Sequence, residues 1–469
     1  MFIKQLYTGC LSEAAYYIES NGEAAIIDPI RDIDPYLELA NKRKARIKYI
    51  FETHFHADFI SGHMDLSDAT GAPIIYGPQT QTKLPVHIAR DGEKFQLGIL
   101  TIEVLHTPGH TLESACYLLK DKNGKDHCVF TGDTLFVGDV GRPDLAQKEN
   151  EITVNDLAGM MYDSLHAKLF PLPDDVIVYP AHGPGSACGK NLGPDTQSTI
   201  GMEKQTNYAL KADTKEEFIR VVTEGIPRPP QYFPINAMIN KQGYESLNEI
   251  LKQGLEALPV DEFKKRINED IIVLDTRSGE TFTSGFVPGS INIGLEGRFA
   301  EWAGSLLPFD RTILLITEPG KEKESIIRLA RVGFNKMSGY LKGGFDSWKN
   351  AGEKTDMIID VESDELIMDI PYDKNLVVLD VRKPAEYADG HLKNAVNIPL
   401  DELTDPGNLS DIEDSNNLYI HCAAGYRSVI AASLLKRQGI HNLRNVSGGW
   451  DKIQTLQNVE IIKEAAVLN

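Results

Sequence analysis

A segment that begins near residue 273 returns 105 residues later. VLDTRSGETFTSGFVPGSINI, from Val273, aligns with VLDVRKPAEYADGHLKNAVNI, from Val378, in one constant register. Asp275 falls on Asp380, Arg277 on Arg382, Gly285 on Gly390 and Asn292 on Asn397. The same register carries Gly343-Gly344-Phe345-Asp346 onto Gly448-Gly449-Trp450-Asp451. One register held over that length makes the C-terminal half two copies of one fold. Each copy alternates short apolar strands with helical stretches, the pattern of a small parallel-sheet α/β domain. The expected organisation of the 469 residues is therefore a larger N-terminal domain, 1–245, followed by two smaller ones, 246–355 and 356–469. Three domains agree with a prior of roughly 150 residues each.

Charge and cysteine usage exclude several function classes. Lys+Arg is 48 against Asp+Glu 68, a net charge of −20. A nucleic-acid binder or a protein docked on an anionic membrane needs a basic face, so neither partner is expected. No apolar run approaches the ~18 residues that would span a bilayer. The first residues, MFIKQLYTGCLSEAAYYIES, do not pair a basic stretch with an apolar core, so no signal peptide is expected. Five cysteines, odd in number and widely spaced, rule out a disulfide framework. The expected compartment is the reducing cytoplasm.

The first ~200 residues read as alternating strands and helices. AYYIES and EAAIID, around Asn21-Gly22, make a hairpin. Asp34-Pro35 opens a helix, with Asp as N-cap and Pro at the first helical position. Ile47 to His54 is an apolar strand running into a histidine-rich loop, and a helical stretch after it stops at Gly71. PIIYG, ILTIEVLHT, ACYLLK, HCVFTGD and VIVYPAH are further strands, several ending in His or Asp. Strand ends that meet at one sheet edge are where α/β sites are built. Residues 225–245 are rich in Pro. A polyproline linker is one reading, but Tyr232 and Phe233 are poor linker residues and favour an ordered strap packed on its neighbours.

Thr53-His54-Phe55-His56-Ala57-Asp58 is the strongest local signal. Two imidazoles one residue apart, just past a strand, can converge on one ion, and the carboxylate can join or orient them. His110 in HTPGHT, Asp133 in FTGDT and His182 in YPAHG follow, each at a strand-to-loop junction. Any one of these alone reads best as a hydrogen-bonded loop residue. Together they suit Zn, Fe or Mn. The order resembles the metallo-β-lactamase superfamily, which implies an αββα sandwich with the metal at one edge. Dinuclear zinc hydrolases of that superfamily carry a histidine directly after the aspartate, and here that position is Phe59. A phenyl ring cannot ligate, so a mononuclear site is expected. The matching subgroup is the persulfide dioxygenases. That resemblance implies one Fe(II) per N-terminal domain, held by His54, His110 and Asp133, with Zn the alternative. His56, Asp58 and His182 then support these ligands or remain from a second-metal site. A 2-His-1-carboxylate face leaves open positions for O2 and a persulfide sulfur, whereas Zn²⁺ has no redox chemistry. Arg142 in VGRPDL either binds an anionic group of the substrate or pairs with Asp144 to stiffen a loop. Cys188 in GSACGKN either holds a persulfide near the metal or is inert.

The second signal is the run Leu418 to Ser428, LYIHCAAGYRS. A buried strand meets Cys422, then the small loop Ala423-Ala424-Gly425-Tyr426, then Arg427 and the helical stretch VIAASLLKRQG. Backbone N–H groups, a helix N-terminus and Arg427 aimed at the sulfur would stabilise a thiolate and then an anionic persulfide. The segment resembles a rhodanese active-site loop, with Asp380, Arg382, Gly390 and His391 in support. Four residues lie between Cys422 and Arg427. Phosphatases built on a similar thiolate have five, a wider cradle, so the shorter loop favours a sulfane sulfur. The middle copy contains no cysteine. The constant register sets Thr317 opposite Cys422, and a one-residue slip would set Glu318 there. It is read as an inactive rhodanese-like domain.

Taken whole, the chain resembles persulfide dioxygenase–rhodanese fusions. The resemblance implies oxidation of a low-molecular-weight thiol persulfide by O2 to thiol and sulfite. It also implies sulfur transfer through Cys422 that makes thiosulfate from the sulfite, in a homo-oligomer (dimer or tetramer). The competing reading is a zinc hydrolase of thioesterase or lactonase type fused to a sulfurtransferase. His56, Asp58 and His182 speak for it, and Phe59 against.

Overall fold

Asn21 and Gly22 both take positive φ, 51° and 77°, and join the antiparallel strands Glu13–Ser20 and Glu23–Ile27. This tight turn starts a sheet laid down in chain order: Phe2–Thr8, the two hairpin strands, Arg46–Phe51, Ile74–Tyr76 and His87–Ile88. A second sheet, again in chain order, holds Lys94–Leu97, Leu100–His106, Ala115–Lys120, Asp126–Gly132, Ile177–Pro180 and Ser198–Thr199. The computed structural model describes residues 1–146, 152–410, 412–413, 415–457 and 459–464. Its chain forms two units, Met1–Leu247 with Ala330–Gly333, and Asn248–Leu329 with Phe334–Asn469. Among the described residues no helix is long and apolar enough to cross a membrane.

In the first unit the strands alternate side chains with period two, so each sheet presents one face to the other. Tyr16, Ile18, Ile27 and Phe51 of the first sheet pack on Ile102, Val104, Tyr117 and Phe130 of the second. The far face of the second sheet buries Cys116, Leu118 and Val129 against Ala158 and Met161 of the helix Val154–Ser164 and Phe218 of Lys215–Thr223. Asp34–Arg43 and His63–Thr70 are the helices connecting strands of the first sheet. The result is the expected αββα sandwich.

Two local boundaries differ from expectation. The helix at Asp34 has Ile33 as its cap, with no side-chain cap bond, so Asp34 is the first helical residue rather than the cap. The strand expected to reach His54 ends at Phe51. Beyond it Glu52 N still donates to the Ile75 carbonyl at 2.9 Å, whereas Thr53 N turns to the Asp28 carboxylate. Residues 233–242 of the Pro-rich stretch form a helix, Phe233–Gln242, and Tyr232 and Phe233 are 3% and 1% exposed.

The second unit holds two five-stranded parallel sheets of identical order. One runs Ala257–Leu258, Met337–Leu341, Thr312–Ile316, Ile271–Asp275, Ile291–Asn292. The other runs Ile359–Val361, Leu443–Val446, Asn417–His421, Leu376–Asp380, Val396–Asn397. The repeat extends to side chains. Arg277 pairs with Asp275 at 2.6 Å and stands over the Phe345 ring, and Arg382 pairs with Asp380 at 2.6 Å over Trp450. Asn292 and Asn397 each donate to the carbonyls of the Asp and Arg of their own copy. Asp275 registers with Ile316 and Asp380 with His421. Thr317, not Glu318, is therefore the positional equivalent of Cys422.

Candidate metal centre and cysteine loop

His54, His110 and Asp133 each follow a strand of the sandwich and are brought to one edge, all three buried. His110 Nε2 lies 3.5 Å from Asp133 Oδ2 and His54 Nε2 lies 3.8 Å from it. These three atoms are buried and have no hydrogen-bond partner in the described structure. Buried polar atoms without partners are costly, and these point at one another. Separations of this size suit donors sharing an ion at metal–ligand bonds of about 2.0–2.2 Å. The residues fit a divalent first-row metal.

What fixes each donor is its other end. Asp28 accepts from the Thr53 backbone N–H at 2.7 Å and from the Thr53 hydroxyl at 2.9 Å. With its hydroxyl proton so committed, Thr53 Oγ1 accepts from His54 Nδ1 at 2.9 Å, which leaves the Nε2 lone pair free. His110 Nδ1 donates to the Arg142 carbonyl at 2.9 Å, with the same result. Asp133 Oδ1 accepts from His182 Nδ1 at 2.7 Å, so Oδ2 faces the two imidazoles. Burial holds both His54 and His110 neutral, the state that ligates. Burial opposes ionisation of Asp133, but His182 and His54 outweigh it and keep the carboxylate charged. Close approach of these loops requires Gly132. Its φ is +52°, and a Cβ there would stand 2.6 Å from Thr53 Cβ.

His182 bridges two carboxylates, reaching Asp58 Oδ2 at 2.8 Å through Nε2. Burial disfavours its charge, yet Asp133 and Asp58 together hold it protonated. Asp58, His182 and Cys188 form a second buried group with donor atoms within 4.8 Å of one another. Burial pushes the Cys188 thiol up, away from the reactive thiolate. His56 turns the other way, with Nε2 3.1 Å from Asp28 and 3.5 Å from Glu52. Phe59 is fully buried, and its ring lies 4.3 Å from the His56 ring. The Arg142 guanidinium is not open to an anion. It is buried and pairs with Asp144 at 2.6 and 2.8 Å, with the carbonyls of Ala187 and Pro227 taking its other donors.

Sequence reasoning passed over four residues that shape this edge. Asp28 ends a strand as Asp133 does, and that placement was its signal. Glu52 precedes the histidine motif, and its carboxyl, kept neutral by burial, accepts from Ser61. Asn240 and Tyr244 come from the Pro-rich stretch. Asn240 Nδ2 donates to the carbonyls of His56 and Phe59, both at 2.8 Å, and its Oδ1 accepts from Ser61 N at 2.9 Å. Tyr244 donates to the Ser61 carbonyl and lies 3.8 Å below the buried Arg31 guanidinium. No local pattern announces the last two.

Cys422 follows the strand Asn417–His421 and is 1% exposed. Gly425 N–H donates to its Sγ at 3.1 Å, and the helix Tyr426–Arg437 begins at the next residue. Ala423 and Ala424 turn the chain between them. The Cys422 carbonyl accepts from Trp450 N at 2.7 Å and that of Ala423 from Asp451 N at 3.0 Å. Arg427 departs from expectation. Its guanidinium is committed to both oxygens of Glu386, at 2.6 and 2.7 Å, rather than to the sulfur. A planar fork meeting a carboxylate two-to-two is the strongest pairing open to it. The equivalent position of the other copy is the buried Thr317.

The Rhodanese-like domain model matches residues 259–351 and 363–456, and the Metallo-beta-lactamase superfamily model matches residues 8–182. A human relative, Persulfide dioxygenase ETHE1, mitochondrial (Homo sapiens), is 31% identical over 45% of this chain and 75% of its own length. A probable hydroxyacylglutathione hydrolase of Schizosaccharomyces pombe is 34% identical over 38% of this chain, and the match spans 66% of that protein. The crystal structure of a metallo-beta-lactamase from Staphylococcus aureus superposes with a TM-score of 0.65 at 33% identity, covering 73% of this chain and 99% of that one. With an N-terminal sandwich that carries the histidine and aspartate edge and is related to persulfide dioxygenases, followed by two rhodanese-like domains, the chain belongs to the metallo-beta-lactamase superfamily in its fused, rhodanese-bearing form.

Proposed function

We propose that the N-terminal domain is a mononuclear Fe(II) persulfide dioxygenase and that Cys422 transfers sulfane sulfur to the sulfite it produces. The observation that carries this reading is the trio of buried, partnerless donors His54 Nε2, His110 Nε2 and Asp133 Oδ2, in a chain with a phenyl ring rather than an imidazole at residue 59. Ferrous iron held there would supply the redox exchange with O2 that no side chain provides. The overall reaction balances as RSSH + O2 + H2O giving RSH and H2SO3. The chain's own part is to hold three ligands on one side and to exclude a second ion. Phe59 offers no lone pair, and His182 keeps both of its nitrogens on Asp133 and Asp58.

At the second centre, a persulfide donor passes its outer sulfur to the Cys422 thiolate, giving Cys–S–S⁻ and releasing the donor thiolate. Sulfite attacks the outer sulfur, the S–S bond to Cys422 breaks, and thiosulfate leaves with the cysteine thiolate restored. Gly425 N–H and the helix N-terminus are placed to stabilise the anionic sulfur in both states. Thr317 has no comparable nucleophilicity, which supports an inactive middle domain. All five cysteines are free, which suits a reducing compartment such as the cytoplasm.

The zinc hydrolase reading keeps one specific support, the Asp58–His182–Cys188 group, together with hydrolase relatives. Loading the metal-free protein with Fe(II) or with Zn(II), adding glutathione persulfide and following O2 separates the two. O2 consumption with iron alone, yielding sulfite or thiosulfate, is expected. Hydrolysis of a thioester by the zinc form, with no O2 consumption by the iron form across several persulfides, would overturn the proposal.

A further inference from the structure

We propose that the cysteine-free domain is a positioning element for the Cys422 loop and acts through a clamp on Tyr426. The sulfur-transfer consequence rests on the role just given to Cys422, and the clamp itself does not. The first half of the loop is tied down within its own copy by Trp450 N and Asp451 N. The second half is tied to the other copy. Tyr426 donates its hydroxyl to the Gly294 carbonyl at 2.7 Å. Its ring lies over Gly294 and Gly297, where an added Cβ would sit 3.6 Å from ring carbons at each.

The tie continues down one face of the helix that Tyr426 begins. Ser433, two turns on, accepts from Asn292 N at 3.0 Å. Lys436 reaches Asp356 at 2.9 Å, and Arg437 donates to the Gly289 carbonyl at 2.9 Å. Residues i, i+7 and i+10 share a helix face, so the helix is held along its length by groups from outside its own copy or just at the boundary between the two.

The acceptor segment is itself held. Arg328 donates to the Leu295 carbonyl at 2.6 Å, and Asn292 Nδ2 is pinned by the carbonyls of Asp275 and Arg277, both at 3.0 Å. The Asp–Arg–Asn network thus persists in a copy without a cysteine, and there it sets where the Gly294 carbonyl stands.

Gly425 is the link to the sulfur. It precedes Tyr426, has φ +106°, and aims its N–H at Cys422 Sγ. A left-handed glycine has a broad range of orientations at little cost. Fixing the residue after it from a second domain narrows that range and keeps the N–H on the sulfur.

The full-length chain tests this with Tyr426→Phe, which removes only the hydroxyl. The readout is the rate at which iodoacetamide alkylates Cys422, followed by peptide mass spectrometry. A fall of about fivefold is expected, the size of one lost neutral hydrogen bond. Arg328→Ala, in the cysteine-free domain, should slow the reaction in the same direction, Arg328→Lys should restore part of it, and Tyr372→Phe at an exposed site should match the parent. In thiosulfate-to-cyanide transfer, Tyr426→Phe should lower kcat and leave KM for thiosulfate unchanged. An unchanged alkylation rate in Tyr426→Phe overturns the proposal. A slowed rate in Tyr426→Phe but not in Arg328→Ala confines the effect to the loop and also overturns it. If the parent transfers no sulfur while the alkylation pattern holds, the clamp stands and the role given to Cys422 falls.

Discussion

At the scale of single residues, Phe59 decides the most. It sits directly after Asp58, fully buried and packed on the His56 ring. An imidazole there would stand beside His56, which already forms a buried donor group with Asp28 and Glu52. Phe59→His is therefore expected to bind a second equivalent of metal in a metal titration and to lose O2 consumption as the centre turns hydrolytic. Binding of a single equivalent with unchanged O2 consumption would show that Phe59 does not set the metal count. Arg427 carries a similar lesson about reading charge from sequence. Its spacing from Cys422 pointed it at the sulfur, but Glu386, 41 residues earlier, takes both ends of the guanidinium.

Among elements, the helix Phe233–Gln242 has an effect out of proportion to its length. It lies about 180 residues from the histidine motif in sequence, yet Asn240 satisfies three backbone groups of that loop, those of His56, Phe59 and Ser61. Removing one partner of a buried hydrogen bond costs about 1–3 kcal/mol for each group left bare. Asn240→Ala is thus expected to destabilise the N-terminal domain by about 3 kcal/mol or more, seen as a lowered Tm. It should also weaken metal retention on dialysis, because the loop bearing His54 and His56 loses its anchor. A Tm within a degree of the parent would mean that water replaces the amide without cost.

At the scale of the whole molecule, the chain carries two chemically distinct centres, one built from nitrogen and oxygen donors and one from a sulfur. Removing metal with a chelator is expected to abolish O2 consumption while leaving thiosulfate-to-cyanide transfer intact. Cys422→Ser should do the reverse. Loss of both activities in either experiment would mean that the centres are not separable. On the proposed function, joining the two in one chain would raise the effective concentration of sulfite at the cysteine. The middle domain, which has no cysteine, then has its reason in the clamp on Tyr426 rather than in chemistry of its own.

Much of this is legible in the sequence. The constant register of the repeat implied two copies of one parallel-sheet fold, and strands ending in His or Asp implied one shared edge. Both are local patterns, periodic or punctuated, and short-range physics alone produces them. The register between strands was not local. Only the pairing of Asp275 with Ile316 and of Asp380 with His421 shows Thr317 to be the counterpart of Cys422. The partners of the site residues were hidden for the same reason. Asn240 against His56, Glu386 against Arg427 and Gly294 against Tyr426 are contacts between positions far apart along the chain. Which donor meets which acceptor is settled by packing of whole sheets and helices. Residue types at the strand ends could say what chemistry was present, and only the tertiary structure could say which lone pairs it left free.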